Sequence, residues 1–298
     1  MAPIGLLRRG LVTVIAAVGL AALGVPAALG EDEGHVGTGA VEYVNMGDSY
    51  SAASGVLPPA PGAPPQCLQS ARNWGHVLAD RWGYDLTDVS CGAAETRHFT
   101  EAQYPGVPPQ VEALSDETDV VTMTIGGNDS GVFIGTIQAC ATAAAATAGT
   151  GNPCEEQNGD RFTDTIENVT YPDLIDALET VKAAAPNARV AIAGYLQILP
   201  AERGCYPVMP VASGDVPYIN DIQATLNDAV RHAAEATDVT YVDVTESSRG
   251  PDVCRPIGTR WVEPAVGGTN PVVVHPNALG AQAMAERVAA ELGGASRG

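Results

Sequence analysis

The chain has 298 residues, 45% of them hydrophobic, with 35 acidic against 15 basic side chains and a formal net charge of −20. That apolar content supports a buried globular core, and the length suits one large domain or two small ones. The acidic excess repels nucleic acid and anionic lipid, which argues against a nucleic-acid function.

At the N-terminus, Arg8 and Arg9 precede the uncharged apolar run from Leu11 to Leu23, and small residues follow at Ala27, Ala28 and Gly30. This order predicts a secretory signal peptide over residues 1–30 and a secreted product. Gly19, Gly24 and Pro26 break the run, and its end resembles a cleavage site, so a membrane anchor is the weaker reading. Removal of residues 1–30 leaves about 268 residues (298 − 30) and a charge near −22 (13 basic minus 35 acidic). Residues 31–40 are polar and Gly-rich, as in a flexible segment, and residues 41–298 form the predicted domain.

Val41, Tyr43, Val44 and Met46 make a short apolar run that stops at Gly47, as a buried strand does. Leu57 to Pro65 is rich in Pro and Gly and reads as a loop. Trp74, Val77, Leu78 and Trp82 share one helical face closed by Gly83, and Tyr84 to Val89 is a second strand. Asp119 to Ile125 is β-branched and halts at Gly126-Gly127, which marks a third strand. The Ala-rich stretch Cys140 to Thr150 reads as a loop or insertion. Leu174, Leu178 and Val181 line a helix ending before Pro186; Arg189 to Ala193 is a fourth strand, Ile219 to Ala236 a long helix, and Val239 to Val242 a fifth strand. Pro276 suits the first turn of a last helix reaching Leu292. The alternation predicts a parallel sheet with helices on both faces, in one domain, with sites at the carboxyl ends of its strands.

Six cysteines, an even number in an exported chain, read as three disulfides. Of the 15 pairings that six cysteines allow, the sequential one is simplest: Cys67–Cys91, Cys140–Cys154, Cys205–Cys254. Zinc is the rival, and no CxxC spacing supports it. No acidic loop with calcium-binding spacing occurs either, so no metal and no cofactor is expected.

Three short motifs fall at expected strand ends: Gly47-Asp48-Ser49, Gly126-Gly127-Asn128-Asp129 and His275-Pro276-Asn277. Each alone has a structural reading, Ser49 as a helix cap and the Gly-Asn run as a turn. Together they offer a hydroxyl, a carboxamide and an imidazole at one edge of one sheet. The segments VNMGDSYSAASG, CGAAETR, TIGGNDSG and VVHPNALG resemble the four signature blocks of the SGNH (GDSL) hydrolase superfamily, and their spacing resembles the streptomycete-type extracellular esterases and lipases. The resemblance implies a three-layer α/β/α fold with a central, flavodoxin-like parallel sheet of about five strands. It implies Ser49 as nucleophile and His275 as its general base. It also implies an oxyanion hole of three donors: the backbone N–H of Ser49, the backbone N–H of Gly92 and the side chain of Asn128. Many such enzymes carry Asp three residues before the histidine; here that residue is Val272, and its main-chain carbonyl is expected to hold Nδ1 of His275 instead. Asp48 and Asp129 are given structural roles.

The expected activity is hydrolysis of carboxylic esters, lipid or small-molecule, through an acyl-serine, by a monomer with no stable membrane insertion. Val56, Leu57, Tyr206, Val208 and Met209 are candidates for the acyl pocket. Two alternatives are a carbohydrate esterase deacylating polysaccharide and a non-catalytic secreted binding protein on the same fold.

Overall fold

The computed structural model describes residues 39–294. The predicted signal peptide and nearly all of segment 31–40 lie outside the described residues.

Five parallel strands form one sheet: β1 (Glu42–Gly47), β2 (Asp85–Asp88), β3 (Val120–Thr124), β4 (Arg189–Ala193) and β5 (Thr240–Val242), in the order β2-β1-β3-β4-β5. Register runs Tyr43 to Val120, Val120 to Arg189 and Ala191 to Thr240. Every residue of β3, the central strand, is buried, which explains its unbroken Val-Val-Thr-Met-Thr character. The chain steps from β1 outward to β2 and then returns to lay β3 on the other side of β1. That reversal leaves a crevice at the carboxyl ends of β1 and β3.

Helices cover the sheet. α1 (Trp74–Trp82) is capped by Asn73, whose side chain accepts from the His76 amide, and ends at Gly83. α2 (Val132–Ala146) follows β3 and leads to the short α3 (Pro153–Asn158) and α4 (Arg161–Thr165). A π turn over Ile166–Thr170 continues into α5 (Tyr171–Ala184). α6 (Val216–Ala236), the brief α7 (Thr245–Ser248) and α8 (Ala278–Leu292) complete the set. α1 packs beside α8 and α5 beside α6, with Leu78, Leu174, Leu178, Val230 and Met284 buried in the core they share with the sheet.

Two expectations need correction. The Ala-rich stretch is not a loop up to Thr150, because α2 runs through Ala146. Alanine is the strongest helix former, so the run sustains a helix without a sharp polar face. The last helix begins at Ala278, not Pro276: the Asn277 side chain accepts from the Leu279 and Gly280 amides, which makes Asn277 the cap and leaves the proline outside.

Disulfides join Cys67 to Cys91, Cys140 to Cys154 and Cys205 to Cys254. The first binds the loop after β2 to the segment before α1, and the second ties α2 to α3.

Candidate active site

β1 stops because Gly47 turns the chain with φ +103°, and a Cβ there would stand 2.1 Å from the Thr124 carbonyl oxygen. Only glycine fits so close to a neighbouring strand in that conformation. Asp48 and Ser49 follow in a turn rather than a helix. The Asp48 carboxylate is buried and accepts from the Tyr50 amide at 2.9 Å, the Thr124 hydroxyl at 2.6 Å and the Tyr195 hydroxyl at 2.5 Å. Burial raises its pKa to about 6, against the pull of those donors. Asp48 thus fixes the turn that presents Ser49.

The Ser49 hydroxyl lies 2.8 Å from Nε2 of His275, 226 residues later in the chain. The imidazole is almost wholly buried and stands against the ring of Tyr50, centroids 5.4 Å apart, and the edge of Phe133 at 5.6 Å. Burial lowers its pKa from the ordinary 6.5, and a hydrogen bond from Nδ1 partly offsets this. The ring is therefore neutral at pH 7, with Nε2 free to accept the serine proton.

The partner of Nδ1 is the carbonyl of Val273, at 2.8 Å, and not that of Val272 as expected. The reason is local. Val274 adopts φ +56°, which bends the chain so that the carbonyl two residues back, not three, turns toward the ring. The Val272 amide is occupied elsewhere, donating to Oδ1 of Asn270 at 3.0 Å. The bend is held from outside: the Val274 amide donates to the Glu263 carbonyl, and the Glu263 amide to the His275 carbonyl, both at 2.9 Å.

Glu263 is a residue that sequence reasoning missed. Its carboxylate accepts from Arg260 at 2.6 Å, the Thr269 hydroxyl at 2.8 Å and amide at 2.9 Å, and Asn277 at 2.8 Å. Burial pushes its pKa up, but those donors together outweigh burial and hold the carboxyl below its ordinary value. This ion pins the loop that presents His275 and has no bond to the imidazole.

Asn128 follows β3. Its Nδ2 donates one hydrogen to the Ala94 carbonyl at 3.0 Å, which orients the amide and leaves the second hydrogen for another acceptor. Asp129, beside it, accepts from the Thr96 amide at 2.9 Å and hydroxyl at 2.8 Å. Burial raises its pKa to about 7. The Gly92 amide needs correction: it donates to the Cys67 carbonyl at 2.8 Å, so its hydrogen is already committed. The next amide, that of Ala93, has no acceptor among the described residues, and Ala93 sits exposed with φ +61°. The Ser49 amide is likewise without an acceptor among them.

Ser49 and Asn128 share a cleft with almost wholly apolar walls. Phe133 and Ile137 of α2, Met209 and Val211, and Ile222 and Leu226 of α6 form these walls. Of the five acyl-pocket candidates, only Met209 is there. Val56 packs against Ala53 and Ala281, and Leu57, Tyr206 and Val208 are exposed. Among the described residues no cluster of His, Cys, Asp or Glu is arranged to hold a metal, and no helix is long and apolar enough to cross a membrane.

Residues 46–283 match the GDSL-like Lipase/Acylhydrolase family. The chain is 52% identical over 289 residues to Lipase 2 of Streptomyces coelicolor, covering 96% of this chain and 98% of that protein. It is 26% identical over 294 residues to an esterase of Streptomyces scabiei, covering 84% and 85% of the two chains. The crystal structure of phospholipase A1 from Streptomyces albidoflavus NA297 superposes with a TM-score of 0.71 at 23% identity, covering 85% of this chain and all of that one. The extracellular lipase of Streptomyces rimosus superposes with a TM-score of 0.69 at 21% identity and the same coverage. At these identities the two structures speak for the fold.

Proposed function

Because this chain belongs to the GDSL-like Lipase/Acylhydrolase family and is a serine ester hydrolase, we propose that it cleaves esters of extended aliphatic acids at Ser49, with His275 as the base. The observation that carries the assignment is the 2.8 Å contact between the Ser49 hydroxyl and Nε2 of His275 at the mouth of an apolar cleft.

A serine hydroxyl is almost fully protonated at neutral pH and attacks only when a base within reach takes its proton. His275 accepts that proton on Nε2 as the Ser49 oxygen bonds to the ester carbonyl carbon. The imidazolium that forms keeps its Nδ1 hydrogen on the Val273 carbonyl. The tetrahedral intermediate carries its negative charge on the former carbonyl oxygen. For that oxygen we assign the backbone amide of Ser49 and the free hydrogen of Asn128, both at the cleft, and as third donor the backbone amide of Ala93, which is uncommitted where that of Gly92 is not. His275 then returns its proton to the departing alkoxide as the carbon–oxygen bond breaks. A water molecule, deprotonated by the same nitrogen, releases the acid from Ser49.

The substrate reading rests on the cleft. Its apolar walls favour an aliphatic chain and give sugar hydroxyls few partners, so a polysaccharide acyl group is the weaker candidate. The three disulfides suit the oxidising exterior, and the N-terminal pattern supports export. The test is hydrolysis of a p-nitrophenyl ester series from acetate to palmitate, with triglyceride, phospholipid and acetylated xylan beside it. Ser49→Ala should lower kcat by about 10⁴–10⁶. A folded Ser49→Ala enzyme with normal turnover, or a wild-type enzyme that prefers acetylated xylan, would overturn the assignment.

A further inference from the structure

Tyr195 lies one residue beyond Gly194, which follows the end of β4. Its hydroxyl is buried and makes two hydrogen bonds. It donates to Oδ2 of Asp48 at 2.5 Å and accepts from the Gly127 amide at 2.9 Å. Asp48 immediately precedes Ser49, and Gly127 immediately precedes Asn128. One oxygen atom therefore bridges the turn after β1 and the turn after β3, reaching across the central strand from β4. The residue itself is fixed. Asn227 of α6 accepts from the Tyr195 amide at 2.8 Å and donates to its carbonyl at 3.0 Å. The ring packs edge-on against Tyr50 with centroids 5.0 Å apart, and Tyr50 in turn faces His275. Glycine at position 127 is a condition of the contact, since a Cβ there would stand 2.9 Å from the tyrosine oxygen.

From this bridge we infer that Tyr195 is a positioning residue, which sets the spacing between the Ser49 turn and the Asn128 carboxamide and so the shape of the oxyanion hole. The inference rests on the assignment of Ser49 as nucleophile and Asn128 as donor. Donors contribute to rate only when they meet the developing charge at hydrogen-bond distance, and a misplacement near 1 Å costs on the order of 100-fold. Two donors on separate turns hold such a spacing only if something fixes one turn against the other. The ring of Tyr195 lines the cleft, but the bridge is made by the hydroxyl alone, which is committed to Asp48 and Gly127. Its loss is expected to weaken binding of the transition state while leaving ester binding in the apolar cleft unchanged.

The test is Tyr195→Phe, which keeps the ring and its packing on Tyr50. We expect kcat on a p-nitrophenyl ester to fall by about 10- to 100-fold with KM within about 2-fold. An alkyl trifluoromethyl ketone, which forms a tetrahedral adduct with its oxygen in the hole, should lose affinity by the same factor. The fatty-acid product should bind as before. In an Asn128→Ala background, Tyr195→Phe should cost distinctly less than it does alone, because the two act on one structure. Undiminished kcat in folded Tyr195→Phe, or losses that multiply in full, would overturn the inference. Should Tyr195→Phe not fold, Gly127→Ala perturbs the same oxygen from the other side, and the ratio of ketone to product affinity must fall there too. If Ser49→Ala and Asn128→Ala lower kcat by about 10⁴–10⁶ and about 10²–10³ while Tyr195→Phe is silent, only the bridge is refuted. If Ser49→Ala is active, the underlying assignment has failed.

Discussion

Asn128→Ala isolates the side-chain donor of the oxyanion hole. The wild-type carboxamide commits one hydrogen to the Ala94 carbonyl at 3.0 Å and has the other to give. Truncation thus removes two interactions of different kinds. Loss of the bond to Ala94 acts on stability and costs about 1–3 kcal/mol, since Ala94 is fully buried and its carbonyl loses its donor. Loss of the second hydrogen acts on the transition state alone. Removing one such donor costs about 10²–10³ in kcat, or about 2.7–4 kcal/mol of barrier. The ester carbonyl in the ground state carries little charge, so KM should stay within about 3-fold. The assay is steady-state hydrolysis of a p-nitrophenyl ester, with thermal melting to confirm the fold. Asn128→Asp is the companion variant: it sets a carboxylate against both the Ala94 carbonyl and the oxyanion, and should be slower still. Asn128→Ala that melts normally and turns over within about 3-fold of wild type would remove the carboxamide from the chemistry.

Because burial holds the His275 pKa below 6.5, the base form persists into mildly acidic solution, and the acid limb of kcat/KM should have its midpoint below pH 6.5; a midpoint above that value in a pH–rate profile contradicts a buried neutral imidazole. Asp129, whose pKa rises from 3.8 to about 7 on folding, binds its proton more tightly in the folded state. Its contribution therefore favours folding below pH 3.8 and is lost as pH rises through about 7. Asp129→Asn keeps a neutral group beside Thr96 and should raise Tm at about pH 8.5 but not at about pH 5, as melts at the two values would show. Ile137→Trp narrows the cleft and should lower kcat/KM for laurate esters by about 10-fold or more while sparing acetate; an equal loss for both would mean the chain lies elsewhere.

β1, β3, β4 and β5 were legible as short runs rich in apolar residues and closed by glycine or a polar residue, and β1, β3 and β4 lie within a residue or two of where those patterns put them, whereas β2 is Asp-Leu-Thr-Asp and shows only through the apolar residues that flank it. The chain order of Ser49, Asn128 and His275 was legible too, since strand ends in a parallel sheet share an edge. What escaped has a common cause. α2 is Ala-rich and has no side-chain cap at its start, so it lacks the usual punctuation. The committed Gly92 amide depends on where the Cys67 carbonyl comes to rest after a 24-residue loop closes. The apolar walls of the cleft come from α2, α6 and the residues around Met209, which meet only in the folded chain. Tyr195 and Glu263 sit in no motif, and their roles follow from partners far off in sequence.

The Val273 carbonyl that steadies the imidazole has a consequence for the pH range and the evolution of the enzyme. A peptide oxygen does not titrate, so this support is present at every pH at which the chain stays folded, whereas an aspartate would be neutralised in acid. Nor can a side-chain substitution delete it. Position 273, half exposed to solvent, is free to drift toward whatever its surface requires while the backbone beneath continues to hold the ring. A comparison of sequences that counts acids would find a member missing from this site, although its job is filled by an atom every residue carries.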